Sequence, residues 1–229
     1  MPYQKQHYSA ATTHRAQLVY EILRWGTDQE HDLASRIGRV RTASYKRELK
    51  HLLSQADEFP RILRLSAPTR NKITTQAVQD ASRIVETYNR DLHQKLLAAL
   101  DANPDLSPDG VRREISAWHS SRQQWKNPQI ALYADRDAVY TAQQDFFRLN
   151  RSALDIEYAE LFPKTAVCPD CQRLIDLGQV SLDVAHANPC PVHVNCVHKW
   201  LYRFRRKPGA RIQGDLFFQN LLDRFRGLV

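Results

Sequence analysis

The chain of 229 residues contains no apolar run near the roughly 20 residues that a membrane-spanning helix needs. Its first stretch, MPYQKQHYSAATTHRAQ, is polar throughout and lacks the apolar core of a secretory signal, so a soluble protein of a reducing cytoplasm is expected. Only 7 glycines are present, which argues against an all-β design built on many tight turns. No glycine-rich phosphate loop, Gly-x-Ser-x-Gly elbow or His-Glu-x-x-His helix occurs, and no enzymatic activity is expected. Cysteine is scarce too. All 4 cysteines fall in one short stretch near the C-terminus.

The bulk composition is thinly apolar. Hydrophobic residues make up 42% of the chain, and the mean hydropathy is −0.56. Such a balance suits long helices, or surfaces completed by neighbouring subunits in an oligomeric assembly. The formal charge of +8 favours contact with nucleic acid or acidic surfaces and says nothing of fold.

Up to about residue 160 the pattern predicts helix. Leu18, Ile22 and Trp25 recur at helical spacing, followed by Leu33, Ile37, Val40, Leu49 and Leu52. Phe59-Pro60 to Pro68 breaks the run. Ala77, Ala81, Ile84, Tyr88, Leu92 and Leu96 form the next stripe, which stops at Asp101-Ala-Asn-Pro104. Ser107-Pro108-Asp109 reads as a helix cap with proline at the first helical position. That helix carries Val111, Ile115 and Trp118 and is expected to end at Asn127-Pro128. A last long helix is expected from near Ile130, with Ala134, Ala138, Ala142, Phe146, Leu149 and Ala153 on one stripe. The mixed charges of Arg47, Glu48 and Lys50, and the pairs Asp28/Glu30 and Asp135/Asp137, read as solvated faces.

The texture changes at Phe162. Prolines at 163, 169, 189 and 191 replace helical periodicity. Gly178-Gln-Val-Ser-Leu-Asp-Val alternates and predicts a short strand or hairpin. Trp200, Tyr202 and Phe204 share one parity, with Arg203 and Arg205 on the other, as in a strand with its aromatics inside. Residues 214–228 read as an amphipathic helix. The expected fold class is mainly α. An elongated helical domain (1–160) precedes a small zinc-stabilised β-containing module with a basic strand (161–212) and a C-terminal helix (213–229).

The module holds the chemistry. Cys168-Pro-Asp-Cys171 offers two thiolates from one tight turn, and His193-Val-Asn-Cys196 offers two more donors about 20 residues on. Two such turns suit a tetrahedral Zn²⁺ closed by four protein ligands, a structural site. Cys168, Cys171, His193 and Cys196 form the best set. Cys190 and His198 are alternates, and a site of four cysteines or one using His198 stays open. His186 reads as a solvated loop histidine. Lys199, Arg203, Arg205, Arg206, Lys207 and Arg211 follow the cluster directly and are the candidate nucleic-acid contacts.

Val167-Cys168-Pro169-Asp170-Cys171, then Leu174, Gly178-Gln179-Val180, then Pro191-Val192-His193-Val194-Asn195-Cys196-Val197-His198 resembles the C-terminal module of the phage head morphogenesis family (minor head, Mu F-like). That pattern runs over about residues 130–200. Val194 stands where the family often has proline, His198 replaces the second cysteine of its ending, and Cys190 is additional. The resemblance implies a virion or assembly protein of a tailed phage, a minor component near portal and capsid subunits. It places the family's metal positions on Cys168, Cys171, His193 and Cys196, and implies contact with packaged double-stranded DNA for some members. Two further readings are a cytoplasmic zinc-knuckle regulator that binds nucleic acid and a His-Asn-His nuclease using His186 and Asn188.

Overall fold

The computed structural model describes the backbone of residues 10–58, 63–103, 107–165, 168–193 and 196–213. Side chains are described from Glu30 onward, apart from Pro108 and residues 122–128. The structure is mainly helical, with a two-stranded sheet and a cysteine–histidine cluster in its C-terminal third.

Three long helices account for most of the chain: α1 (Ala10–Gln55), α2 (Ala67–Ala102) and α3 (Pro108–Asn150). Each boundary has a local cause. Helix α1 ends where Asp57 takes a left-handed backbone, with φ of 59°. The Glu58 and Asp57 amides then donate to the carbonyls of Leu53 and Ser54, at 2.9 and 3.2 Å. These bonds satisfy carbonyls that the helix end leaves open. Ser66 opens α2 by accepting from the Thr69 amide at 3.2 Å, and Ser107 does the same for the Gly110 amide in α3 at 3.2 Å. Serine at this position satisfies one of the unpaired first-turn amides.

The expected break at Asn127-Pro128 is not there. Helix α3 runs through it, so one long helix replaces two. A proline removes a single backbone bond and costs about 3 kcal/mol, and here the helix propagates on both sides of it. Nor does helix reach residue 160. A single 3₁₀ turn, Arg151–Ala153, leads into strand β1, Leu154–Phe162. Alternation in Leu154-Asp-Ile-Glu is the signal for this strand, and it was hidden by the helical spacing of Ala142, Phe146, Leu149 and Ala153.

Strand β1 pairs antiparallel with β2 (Lys199–Arg206), with a bulge between Ile156 and Tyr158. Two short helices lie between them, α4 (Pro169–Asp176) and α5 (Leu182–Ala187). The expected strand after Gly178 shrinks to one bridge, Val180 to Ala159. Ser181 then caps α5, its hydroxyl accepting from the Val184 amide at 3.4 Å. A serine followed by an acid in the first turn is a helix-start signal, and it prevails over a short alternation.

The chain divides into two compact units, Met1–Arg36 with Ala77–Gln124, and Ile37–Gln76 with Trp125–Val229. The boundary expected at 160/161 lies inside the second of these units. Within the second unit the strands and short helices share one core with α1 and α3. Leu49, Leu52, Phe146 and Phe147 cluster with Leu161, Leu174, Trp200, Tyr202 and Phe204. The module is too small to bury its own apolar face and uses the helices as its other wall. In the first unit Leu92, Leu96 and Leu100 pack with Val111, flanked by Tyr88, Ile115 and Trp118. The Tyr88 and Trp118 rings lie 4.8 Å apart. The expected C-terminal helix and the stripe of Leu18, Ile22 and Trp25 lie outside the described residues and side chains.

Candidate metal centre

The first arm of the site is the start of α4. Cys168 occupies the cap position with extended backbone (φ −154°), and its sulfur accepts from the Cys171 amide at 3.4 Å. Pro169 follows at the first helical position, where a missing amide hydrogen costs nothing. This turn aims both sulfurs to one side. In the second arm the Cys196 amide donates to the His193 carbonyl at 2.9 Å. Trp200, on β2 just beyond it, is fully buried, and its indole donates to the Asn188 carbonyl at 2.9 Å. That bond ties β2 to the end of α5. Tyr140 of α3 donates to the His186 carbonyl at 2.9 Å, fixing α5 to the long helix.

The donors converge. Cys168 Sγ lies 3.1 Å from His193 Nε2, and Cys171 Sγ lies 3.4 Å from the same nitrogen. Cys171 and Cys196 sulfurs are 4.0 Å apart, those of Cys190 and Cys196 3.8 Å, and Cys196 Sγ is 3.7 Å from His198 Nδ1. Donors sharing one tetrahedral zinc lie about 3.8 Å apart for two sulfurs and about 3.5 Å for sulfur and nitrogen, given metal bonds of about 2.3 and 2.0 Å. The observed spacings match within a few tenths of an ångström. They exceed a disulfide bond, about 2.05 Å, by far, and all four cysteines are free thiols. Donor chemistry and spacing both fit a borderline-soft divalent metal ion.

Cys168, Cys171 and His193 lie within 4.8 Å of one another, and so do Cys171, Cys196 and His198. Three of the four expected ligands thus form one trio, and the fourth, Cys196, joins a second trio that shares Cys171. His198, an alternate in the sequence reading, belongs to the second trio and is fully buried. Its Nε2 lies 2.9 Å from the Thr165 carbonyl. Cys190, the other alternate, is buried beside Cys196, and its thiol donates to the His198 carbonyl at 3.0 Å.

Crowded sulfurs resist joint ionisation. Burial, with the neighbouring Cys168 and Cys196 sulfurs, pushes the Cys171 thiol up to about 12. The Cys190 thiol is raised by its bond to Cys196 and by burial. That same bond, against the penalty of burial, draws Cys196 down to about 4. One thiolate is tolerated without a cation. Several require a positive charge among them.

Other expected positions resolve differently. His186 is not a solvated loop histidine. It sits on α5, half-buried, with its ring 6.4 Å from those of Phe147 and Tyr202, and burial lowers its pKa. It joins neither trio. Asp135 and Asp137 are not a solvated face. Asp137 pairs with the buried Arg41. Asp135 accepts from Ser44 at 2.5 Å and Arg47 at 2.6 Å. Burial opposes the Asp135 charge, but these bonds outweigh it and hold the carboxyl below its ordinary range. Glu48 is buried and accepts from Gln143 Nε2 at 2.7 Å, and Gln143 also donates to the Trp200 carbonyl at 3.0 Å. Gln143 links α1, α3 and β2. Its signal in the sequence was an amide one step from the apolar stripe of α3, the first of the pair Gln143-Gln144.

The basic residues split. Trp200, Tyr202 and Phe204 point inward, while Arg203 and Arg205 project outward, as the strand reading requires. Glu157 and Asp155 on β1 lie 3.8 and 3.6 Å from Arg203 and Arg205. Arg206 pairs with Glu58 at 2.8 Å, and Lys207 donates to the Ser152 carbonyl at 3.0 Å. Lys199 is half-buried and Arg211 exposed.

The chain matches no model of a known protein family, no curated protein and no solved structure. No helix among the described residues is long and apolar enough to cross a membrane.

Proposed function

We propose that this chain is a non-enzymatic structural protein of a tailed-phage head or neck, a minor component that contacts portal or capsid subunits. The observation that carries the reading is the convergence of Cys168, Cys171, His193, Cys196 and His198 at the root of a two-stranded sheet packed on long helices. The residue order through this convergence is the one that resembles phage head morphogenesis proteins. Zinc is the proposed ion, because thiolate and imidazole donors at tetrahedral spacing favour it. Its role is structural: the ion joins the Cys168–Cys171 turn to the Cys196–His198 segment at the root of the sheet.

A basic chain suits a particle filled with DNA, which presents a dense array of phosphates. The paired carboxylates beside Arg203 and Arg205 dilute the positive field of the hairpin. Contact with DNA is therefore secondary in this proposal to contact with neighbouring subunits. For the same reason the regulator reading, which needs strong phosphate binding by this module, ranks below it.

The test is protein mass spectrometry on purified particles of the phage or induced prophage whose genome carries the gene. The chain is expected in both empty and DNA-filled heads. Its absence from both overturns the proposal.

A further inference from the structure

We propose that the six donors hold two divalent ions, with the Cys171 thiolate shared between them. The inference rests on the metal-site reading and deepens it.

The first support is geometric. The donors do not gather around one point. They form two trios whose common member is Cys171. In the outer trio, Cys168 and Cys171 sulfurs lie 3.1 and 3.4 Å from His193 Nε2. In the inner trio, Cys196 Sγ lies 4.0 Å from Cys171 Sγ and 3.7 Å from His198 Nδ1. Cys190 Sγ lies 3.8 Å from Cys196 Sγ but outside the inner trio, and a movement of its side chain toward Cys171 and His198 would close the fourth corner of the inner site. A sulfur carries enough lone pairs to bridge two ions. These four edges of the two trios, 3.1 to 4.0 Å, bracket those of a zinc tetrahedron, about 3.5 to 3.8 Å.

The second support is the setting of His198. Its Nε2 lies 2.9 Å from the Thr165 carbonyl, which can only accept. Nε2 therefore donates to that carbonyl, and Nδ1 is the ring nitrogen turned toward the sulfurs, 3.7 Å from Cys196 Sγ. An imidazole oriented this way by an outer carbonyl is the usual arrangement of a metal ligand. A single ion on Cys168, Cys171, His193 and Cys196 would leave this fully buried nitrogen without a use.

The third support is charge. Three of the four sulfurs are almost wholly buried. One divalent ion with three thiolates leaves a net negative charge in a poorly polarisable interior, which is costly. Two divalent ions with four thiolates are neutral. In forming the cluster, four thiol protons pass to solvent and two neutral imidazoles coordinate without loss of a proton. Cys168 and His193 are half-buried, so water reaches the outer ion and can complete its shell.

The experiment is native mass spectrometry of the full chain purified with zinc and without chelator, paralleled by cobalt titration of the reduced apo-protein. Two bound ions per chain are expected, with the thiolate-to-cobalt absorption saturating at two equivalents. In His198→Gln, one ion is expected to remain with helical circular dichroism unchanged. Saturation of the natural protein at one equivalent overturns the two-ion cluster and leaves a single-metal site standing. No bound metal overturns both. Two ions retained by His198→Gln would remove the inner trio as assigned. Should that variant not fold, the count in the natural protein decides the matter alone.

Discussion

Stripping the metal from the cysteine–histidine centre is expected to cost the second unit most of its stability. Structural zinc in small modules supplies about 10 kcal/mol of folding free energy, and a whole domain is stable by only about 5 to 15 kcal/mol. The structure shows why the loss cannot stay local. Cys171, Cys190 and Cys196 belong to the same buried cluster as Leu52, Phe146, Phe147 and Trp200. Without the ion the sulfurs repel as thiolates, or remain as thiols that no longer join the two arms. For a unit of this size each kcal/mol moves the melting temperature by about 2 to 4 °C. Loss of even half the zinc contribution lowers it by more than about 10 °C.

The assay is thermal unfolding by circular dichroism, in reductant, with and without a strong chelator. Cys171→Ser, which removes the donor common to both trios, is expected to reproduce the chelated curve. Cys168→Ser, which touches only the outer trio and a half-buried position, is expected to fall between the two. A shift under about 2 °C on chelation would mean that the ion adds less than about 1 kcal/mol. The physical account of this region would then be refuted.

Gln143→Ala should destabilise the second unit by about 3 kcal/mol, since it strands the buried Glu48 carboxylate and the Trp200 carbonyl, each worth about 1 to 3 kcal/mol unsatisfied; urea unfolding measures it, and a loss under 1 kcal/mol would contradict the link. Asp57→Gly should raise stability by about 1 kcal/mol by relieving a left-handed backbone at the end of α1; no gain in the urea midpoint would argue against that strain. Burial lowers the pKa of His186, so the unfolded chain takes up its proton first. That contribution is present above the unfolded value of about 6.5 and is lost as pH falls below it. His186→Phe should therefore flatten the fall in stability between pH 7.5 and 5.5, compared at equal metal content, and an unchanged slope would exclude this histidine. If the hairpin meets DNA, Arg203→Gln with Arg205→Gln should reduce the slope of log affinity against log salt by about two, roughly 0.9 for each phosphate contact. An unaltered slope assigns the contact elsewhere.

The parts legible in the sequence were those with a strong local period or spacing. The stripes of α2 and α3 and the inward Trp200, Tyr202 and Phe204 follow from side-chain repeats of 3.6 or 2, and the start of α3 follows from its Ser107 cap. The cysteine knuckle was legible because its spacing sets its geometry. What failed were contests between local signals. Pro128 looked like a stop, but the turns around it keep α3 continuous. Ser181 and Asp183 outweighed the alternation that suggested a strand. Long-range pairing was the least visible. Nothing near Glu48 or Asp135 announces that Gln143, Ser44 and Arg47 will meet them across about 90 positions of chain.

The same long-range pairing explains why an ion bound at the proposed site would matter beyond its own loop. Gln143 reaches from the middle of α3 to the buried Glu48 of α1 and to the backbone of Trp200, two residues from His198. Tyr202 and Phe204 then lie against Phe147, with ring centres 4.4 and 5.2 Å away. An ion that fixes His198 and Cys196 therefore fixes where β2 begins, and β2 in turn sets the register of β1 through their antiparallel pairing. A shift of one residue in that register would turn Trp200, Tyr202 and Phe204 out of the core and bring Arg203 and Arg205 in. On the proposed metal site, a bound ion would select one alignment of the hairpin against the helices, and with it the face that Arg203, Arg205 and their neighbouring carboxylates present to a partner.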